Sequence, residues 1–368
     1  MGTDDIKQAA RPGRVTIRMV AAVSKVLHNA YGVSDGLRQN VMVSIERLGY
    51  RPSVAARGVR GQTYTIGILL VEIANPFLPM VIDGVNAVLR PSNYQALFGN
   101  GKPLMSLDAS LIESMIDYRT DGLILIAPRM SGEHLAKFAV QIPIAVIGQH
   151  EPTTSNFDTV NVDDFDAAKL AVRTYVARGI TDIAMVNLGR NQMDPENVTA
   201  VRERGYLAAM HEAGLSDKVR IMRSPLSMAG RDEFIAALLA PANRPHALFC
   251  WSDLDAIPIV STAKYMRLTT PDDLAVIGFD NTPVASLPLV GLSSIDQSAR
   301  KLGSLAAETV LSRIHGREVA NHFLLGPMLA GRTGSWPRRC AKGGETAART
   351  AQGRQCAAST IDLDGTQS

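Results

Sequence analysis

The sequence predicts an α/β protein: a small all-α headpiece followed by a two-lobed body of doubly wound parallel sheets. Three observations lead there. From Tyr64 to about Arg332, short apolar runs alternate with amphipathic stretches, the pattern of βα units and a mostly parallel sheet. Between Leu48 and Phe77 a basic, helix-prone segment gives way within a few residues to a buried-strand pattern. The 368 residues exceed what one hydrophobic core organises, so two or three compact units are expected.

Taken in order, Ser34 can cap a helix whose Leu37, Val41, Ile45 and Leu48 form an apolar stripe, read as core. Gly49 suits its C-terminal cap. Pro52 and Ser53 then prime a short helix over residues 54–60. Strands are predicted at 65–71, 94–98, 122–126, 144–147, 183–186, 247–250 and 274–278. Helices are predicted at 80–89, 106–117, 167–177, 198–212, 233–239 and 255–266, each with apolar residues three and four apart. So many βα units fit two lobes better than one sheet, with a cleft at the carboxyl ends of the strands. The domain reading is a headpiece at 1–51, a hinge helix and linker at 52–63, a body at 64–335, and a disordered tail at 336–368, which lacks periodicity.

The composition, 46% apolar and 20% charged, is that of a soluble globular protein. The net charge of +3 is too small to argue for nucleic acid, but its distribution is uneven. Between Arg11 and Arg60 nine Lys/Arg face only Asp35 and Glu46, the local excess a phosphate-binding surface needs. Cys250, Cys340 and Cys356 lack metal-ligand spacing and fit a reducing cytoplasm. No apolar run spans a bilayer and no export signal opens the chain, so a cytoplasmic protein without membrane partners is expected. The chain has no glycine-rich dinucleotide fingerprint, phosphate loop or nucleophile elbow, and its seven His make no ligand pair. It reads as a non-enzyme that needs no cofactor.

A series of stretches resembles the lactose/galactose repressor (LacI/GalR) family of bacterial regulators. They are Val15-Thr16-Ile17-Arg18, Val23-Ser24-Lys25-Val26-Leu27, Leu48-Gly49-Tyr50-Arg51-Pro52, Ile73-Ala74-Asn75-Pro76-Phe77 and Asp121-Gly122-Leu123-Ile124. Arg202-Glu203-Arg204-Gly205-Tyr206, Gly278-Phe279-Asp280-Asn281, Leu292-Ser293-Ser294-Ile295-Asp296-Gln297 and Leu329-Ala330-Gly331-Arg332 complete the series, in the family's order. The resemblance implies a helix-turn-helix headpiece, a body like the periplasmic binding proteins, and a homodimer on operator DNA that responds to a sugar-like effector. It implies DNA contacts from Thr16, Ser24, Lys25, Asn29, Tyr50, Arg51, Ala56, Arg57 and Val59. The headpiece departs from the pattern: about eight residues that a helix-turn-helix module of usual length would hold are missing before Val23. At the minor-groove wedge Val59 stands where the family usually has Leu, and Gly58 weakens that helix by roughly 1 kcal/mol.

For the effector the candidates are Asn75, Phe77, Asp163, Arg202, Asp253, Asp280 and Gln297. Phe77 offers a flat apolar face and Asn75 an amide that donates and accepts. Arg202 brings a rigid fork for paired hydroxyls or a carboxylate, and Asp280 a charge-assisted acceptor. Asp163 and Asp253 are chosen for their strand-end positions, where helix capping is the alternative. Gln297 lies near the expected passage between lobes. Two function readings follow: an effector-responsive, sequence-specific transcriptional regulator, and a cytoplasmic ligand sensor whose headpiece no longer docks on DNA.

Overall fold

The structure is a computed structural model that describes residues 23, 25–26, 31–49, 61–71, 73–101, 107–188, 197–225 and 228–332. Thr16, Ser24, Asn29, Tyr50, Arg51, Ala56, Arg57 and Val59, the hinge helix and the tail at 336–368 lie outside the described residues. Lys25 is described, helical and exposed.

Helix α1 (Asp35–Leu48) begins as expected: Ser34 Oγ accepts from Leu37 N at 3.4 Å, and Gly49 closes the helix in the left-handed region. Only part of the apolar stripe read as core can be placed, the side chain of Leu48 lying outside the described residues. Leu37 is exposed, and Val41 and Ile45 are only half-buried.

The body holds two six-stranded sheets. The first lobe runs β1 (Thr65–Leu70), α2 (Phe77–Leu89), β2 (Gln95–Asn100), α3 (Ala109–Asp117), β3 (Gly122–Ile126), α4 (Gly132–Ala139), β4 (Ile144–Ile147) and β5 (Asp158–Val162). The second runs α5 (Asp164–Val176), β6 (Ile183–Leu188), α6 (Val198–Glu212), β7 (Arg220–Ser224), α7 (Met228–Leu239), β8 (Ala247–Cys250), α8 (Asp253–Tyr265), β9 (Ala275–Phe279) and β10 (Ser293–Asp296). The chain then returns for α9 (Ala299–Ile314) and β11 (His322–Leu325) in the first lobe, and ends with β12 (Met328–Ala330) in the second. Strand orders are β11-β5-β4-β3-β1-β2 and β12-β10-β9-β8-β6-β7; every pairing is parallel except β10 with β12. The chain therefore passes between sheets three times, after β5, after β10 and after β11. The first and third passages are tied by Asp163 N donating to Leu325 O at 2.8 Å.

Strands such as GLILI and IAVI are buried on both faces and read as continuous apolar runs, as parallel sheets under helices require. Ile66, Ile68 and Ile124 meet Val81, Val85, Leu302 and Ala306 in the first lobe's core. There α2 and α9 pack at close range, because neither has a side chain at the contact. A Cβ on Gly84 would lie 2.0 Å from Arg300 O, and one on Gly303 would lie 2.0 Å from Val81 O.

The strands and helices predicted within the body all occur, several with ends displaced by caps; the helix predicted at 54–60 lies outside the described residues. Asp108, Asp163 and Ser252 accept from helix N–H groups, so α3, α5 and α8 start at their caps and not at the first apolar residue. β5 escapes a hydrophobicity search because Asp158, Thr159 and Asn161 are polar yet buried. Asp158 accepts from Arg313 Nε at 2.8 Å and Arg317 Nη2 at 2.7 Å, an ion cluster that locks β5 to α9. Among the described residues no helix is long and apolar enough to cross a membrane.

Candidate functional site

Both sheets turn the carboxyl ends of their strands toward one cavity of about 390 Å³ between the lobes. That volume falls within the range of small-molecule sites, about 300–1,000 Å³. Asn75, Phe77, Arg202, Asp280 and Gln297 all line it, so five of the seven candidates are brought together.

The two others are not. Asp163 serves as the N-cap of α5, its Oδ1 accepting from Asp166 N at 2.9 Å. Asp253 is fully buried behind the cavity wall, where Thr282 N, Thr282 Oγ1 and Ser294 Oγ donate to it at 2.8, 2.9 and 2.7 Å. Both placements correct the strand-end reading. In each case local capping or buried hydrogen bonding occupies the carboxylate before a ligand could.

Arg202 is held from three sides. Its Nε donates to Asp164 Oδ1 at 2.7 Å, its Nη1 donates to Trp251 O at 2.6 Å, and its guanidinium carbon lies 3.5 Å above the centre of the Phe279 ring. Asp164 is itself buried and takes His150 Nε2 at 2.8 Å on its other oxygen. The sequence pattern explains the placement. In Arg202-Glu203-Arg204-Gly205, a Cβ on Gly205 would lie 2.3 Å from Phe165 O, so glycine lets α6 approach α5 and carries Arg202 onto Asp164. Much of the fork expected to face a ligand is thus engaged by protein, leaving a pre-oriented edge at the cavity.

Asp280 follows β9 with φ at +106°, and Asn281 follows at +49°, two successive non-glycine residues in a region that side chains avoid. The Asp280 amide is anchored by donating to Ile295 O at 2.9 Å. Gln297, on the second passage between lobes, donates its amide to Asp280 Oδ1. Oδ2 has no hydrogen-bond partner among the described residues. Burial pushes the Asp280 carboxyl up to about 8; the Arg202 charge opposes this, the Asp253 charge adds to it, and the Gln297 and Asn75 side chains oppose it. Asp253 is pushed up to about 6, again chiefly by burial, against its hydrogen bonds from Thr282 and Ser294 and the Arg332 charge. Near neutral pH Asp280 is therefore mostly a protonated acid that can donate as well as accept.

Asn75 Oδ1 accepts from Phe77 N at 2.9 Å and starts α2, while Phe77 is buried in the first lobe's core and also lines the cavity. Trp251 is half-buried on the cavity wall, its indole N–H donating to Asp255 Oδ2 at 2.6 Å. Sequence reasoning did not single out Asp164, Asn161, Arg129 or Arg231, which also line the cavity. Asp164 was signalled by the paired carboxylates Asp163-Asp164 at the end of β5, had that strand been legible. Asn161 spends its side chain on the turn after β4, accepting from Gly148 N and Gln149 N and donating to Gln149 O. Among the described residues no group of three or more His, Cys, Asp or Glu is placed to hold a metal ion.

Residues 172–333 match the family described as periplasmic binding protein-like domain. Over 322 residues the chain is 28% identical to catabolite control protein A of Priestia megaterium, a match spanning 87% of this chain and 95% of that protein. It is 29% identical over 324 residues to the HTH-type transcriptional repressor PurR of Vibrio campbellii, spanning 85% and 92%. The lac repressor dimer bound to operator and the anti-inducer ONPF shares the fold, with a TM-score of 0.74 at 20% identity over 88% of this chain and 99% of that one. Over most of its length the chain is thus similar to bacterial transcriptional regulators, with the fold of the lac repressor and family-like motifs converging on one interlobe cavity, so its likeness is to the LacI/GalR family.

Proposed function

We propose that this protein is an effector-responsive, sequence-specific transcriptional regulator, most simply a repressor, that acts in the cytoplasm as a homodimer on operator DNA and senses a sugar or similar small metabolite. Residues 1–51 would form the DNA-binding headpiece, 52–63 the hinge and 64–335 the sensor. The observation that carries the reading is the interlobe cavity, where a buried, pre-oriented Arg202 and a buried Asp280 with an unfilled oxygen face a half-buried Trp251. Such a site suits a polyol: Asp280 and Arg202 take hydroxyls, and Trp251 supplies an apolar wall. Relatives named as repressors support the DNA-binding half.

The mechanism follows from the three passages between lobes. A ligand bridging Arg202 and Asp280 of the second lobe with Asn75 of the first favours a closed cleft. That closure biases the orientation of the first lobes of a dimer, and through them the hinges that precede β1. Effector control then amounts to differential affinity for open and closed states.

The test is fluorescence anisotropy of the full chain on its own upstream DNA, titrated with salt and repeated with a panel of sugars and small metabolites. Binding well above that to unrelated DNA, and altered by one metabolite, is expected. Weak, steeply salt-dependent binding under every condition would refute the operator half. The shortened headpiece favours a second reading, a ligand sensor without operator recognition, which that outcome would establish if a metabolite still bound.

A further inference from the structure

The cavity holds a cation that the polyol reading does not use. Arg231 lies in the first turn of α7 and lines the cavity, and its Nε is buried without a hydrogen-bond partner. It makes no ion pair with any described residue. None of the site's carboxylates pairs with it. Asp164 is taken by Arg202 and His150, and Asp255 by Ser224 Oγ and the Trp251 indole, at 2.7 and 2.6 Å. Asp280 accepts from Gln297. The first turn of a helix is also where the helix dipole disfavours positive charge, so neither its neighbours nor its helix stabilises Arg231 as a cation. A half-buried guanidinium placed against the dipole, beside acids that do not pair with it, lacks an anion.

Resting on the effector reading above, we propose that the effector of this protein carries a carboxylate, as aldonic and uronic acids do, and that Arg231 binds it. Arg202 and Asp280 meet the hydroxyl-bearing part of the same molecule. One guanidinium without an ion pair among the described residues suits a singly charged carboxylate. A dianionic phosphate calls for a denser donor set, and at three helix N-termini that approach the cavity one N–H each is already given to Asn75, Asn197 and Ser252. The protonated state of Asp280 acts in the same direction, since it removes a negative charge that would repel an acidic ligand.

Isothermal titration calorimetry on the full chain tests this with matched pairs, D-galacturonate against D-galactose and D-gluconate against D-glucitol, with D-glucose 6-phosphate as a further arm. One acid is expected to bind at least tenfold tighter than its neutral parent. That ratio should collapse toward one in Arg231→Gln and persist largely in Arg231→Lys, which keeps the charge in a folded protein. A neutral sugar that binds as tightly as its acid overturns the inference and leaves the effector reading standing. So does a ratio unchanged by Arg231→Gln, or a preference for the phosphate over the carboxylates. Heat from no member of any class removes the sugar-like effector reading and this inference with it.

Discussion

Replacing Asp280 by Asn should abolish a pH dependence of stability that the buried carboxyl imposes. In the folded protein this group is pushed up to about 8, whereas an unfolded Asp titrates near 3.9. Between those values the native state holds a proton that the unfolded chain has lost, so stability falls as pH rises, and the loss is complete once pH passes the folded value. The slope is a little over 1 kcal/mol per pH unit, or about 3 kcal/mol between pH 5 and pH 7. Asn cannot titrate, yet its carbonyl can still accept from Gln297. Urea unfolding of both proteins at pH 5 and pH 7, followed by circular dichroism, measures the change in their stability difference. Asp253, pushed up to about 6, acts in the same direction at lower pH but is present in both proteins and largely drops out of that comparison. The wild type should lose about 3 kcal/mol relative to Asp280→Asn over this interval. An equal difference at both pH values would show that Asp280 is ionised in the fold, and would refute the claim that burial outweighs the Arg202 charge.

Gly84→Ala would set a Cβ 2.0 Å from Arg300 O and force α2 and α9 apart, with an expected cost of about 3 kcal/mol in chemical unfolding. Arg202→Met strips a buried carboxylate of its closest cation and should lower stability by about 3 kcal/mol, and effector titration should lose at least tenfold in affinity. Asp163→Ala removes only the cap of α5, so a loss of about 1 kcal/mol in the same unfolding assay, with effector affinity held within twofold, is expected.

Much of this fold was legible because parallel strands buried on both faces must be apolar along their whole length. β3, β4 and β8 read directly as GLILI, IAVI and ALFC. β5 did not, because its burial depends on partners far away in sequence: Asp158 is tolerated inside only through Arg313 on α9 and Arg317 just after it.

The site divides in the same way. Residue type and strand-end position pointed equally to Asp163, Asp253 and Asp280, three carboxylates that local sequence cannot rank. Tertiary packing ranked them. Asp163 turns back to cap its own helix and Asp253 is enclosed by Thr282 and Ser294, while Asp280, held at a positive φ by its bond to Ile295, keeps an oxygen for the cavity. Arg202 was visible as a guanidinium in a motif, but its partners Asp164, Trp251 and Phe279 lie 38, 49 and 77 residues away in sequence. The sequence by itself determined the alternation of strands and helices, the family motifs and the chemistry on offer, because those depend on local propensity and residue type. Only the tertiary structure decided which of those groups are consumed in holding the protein together and which are left for a ligand, because a side chain's hydrogen-bonding capacity is spent on whatever the fold brings within reach.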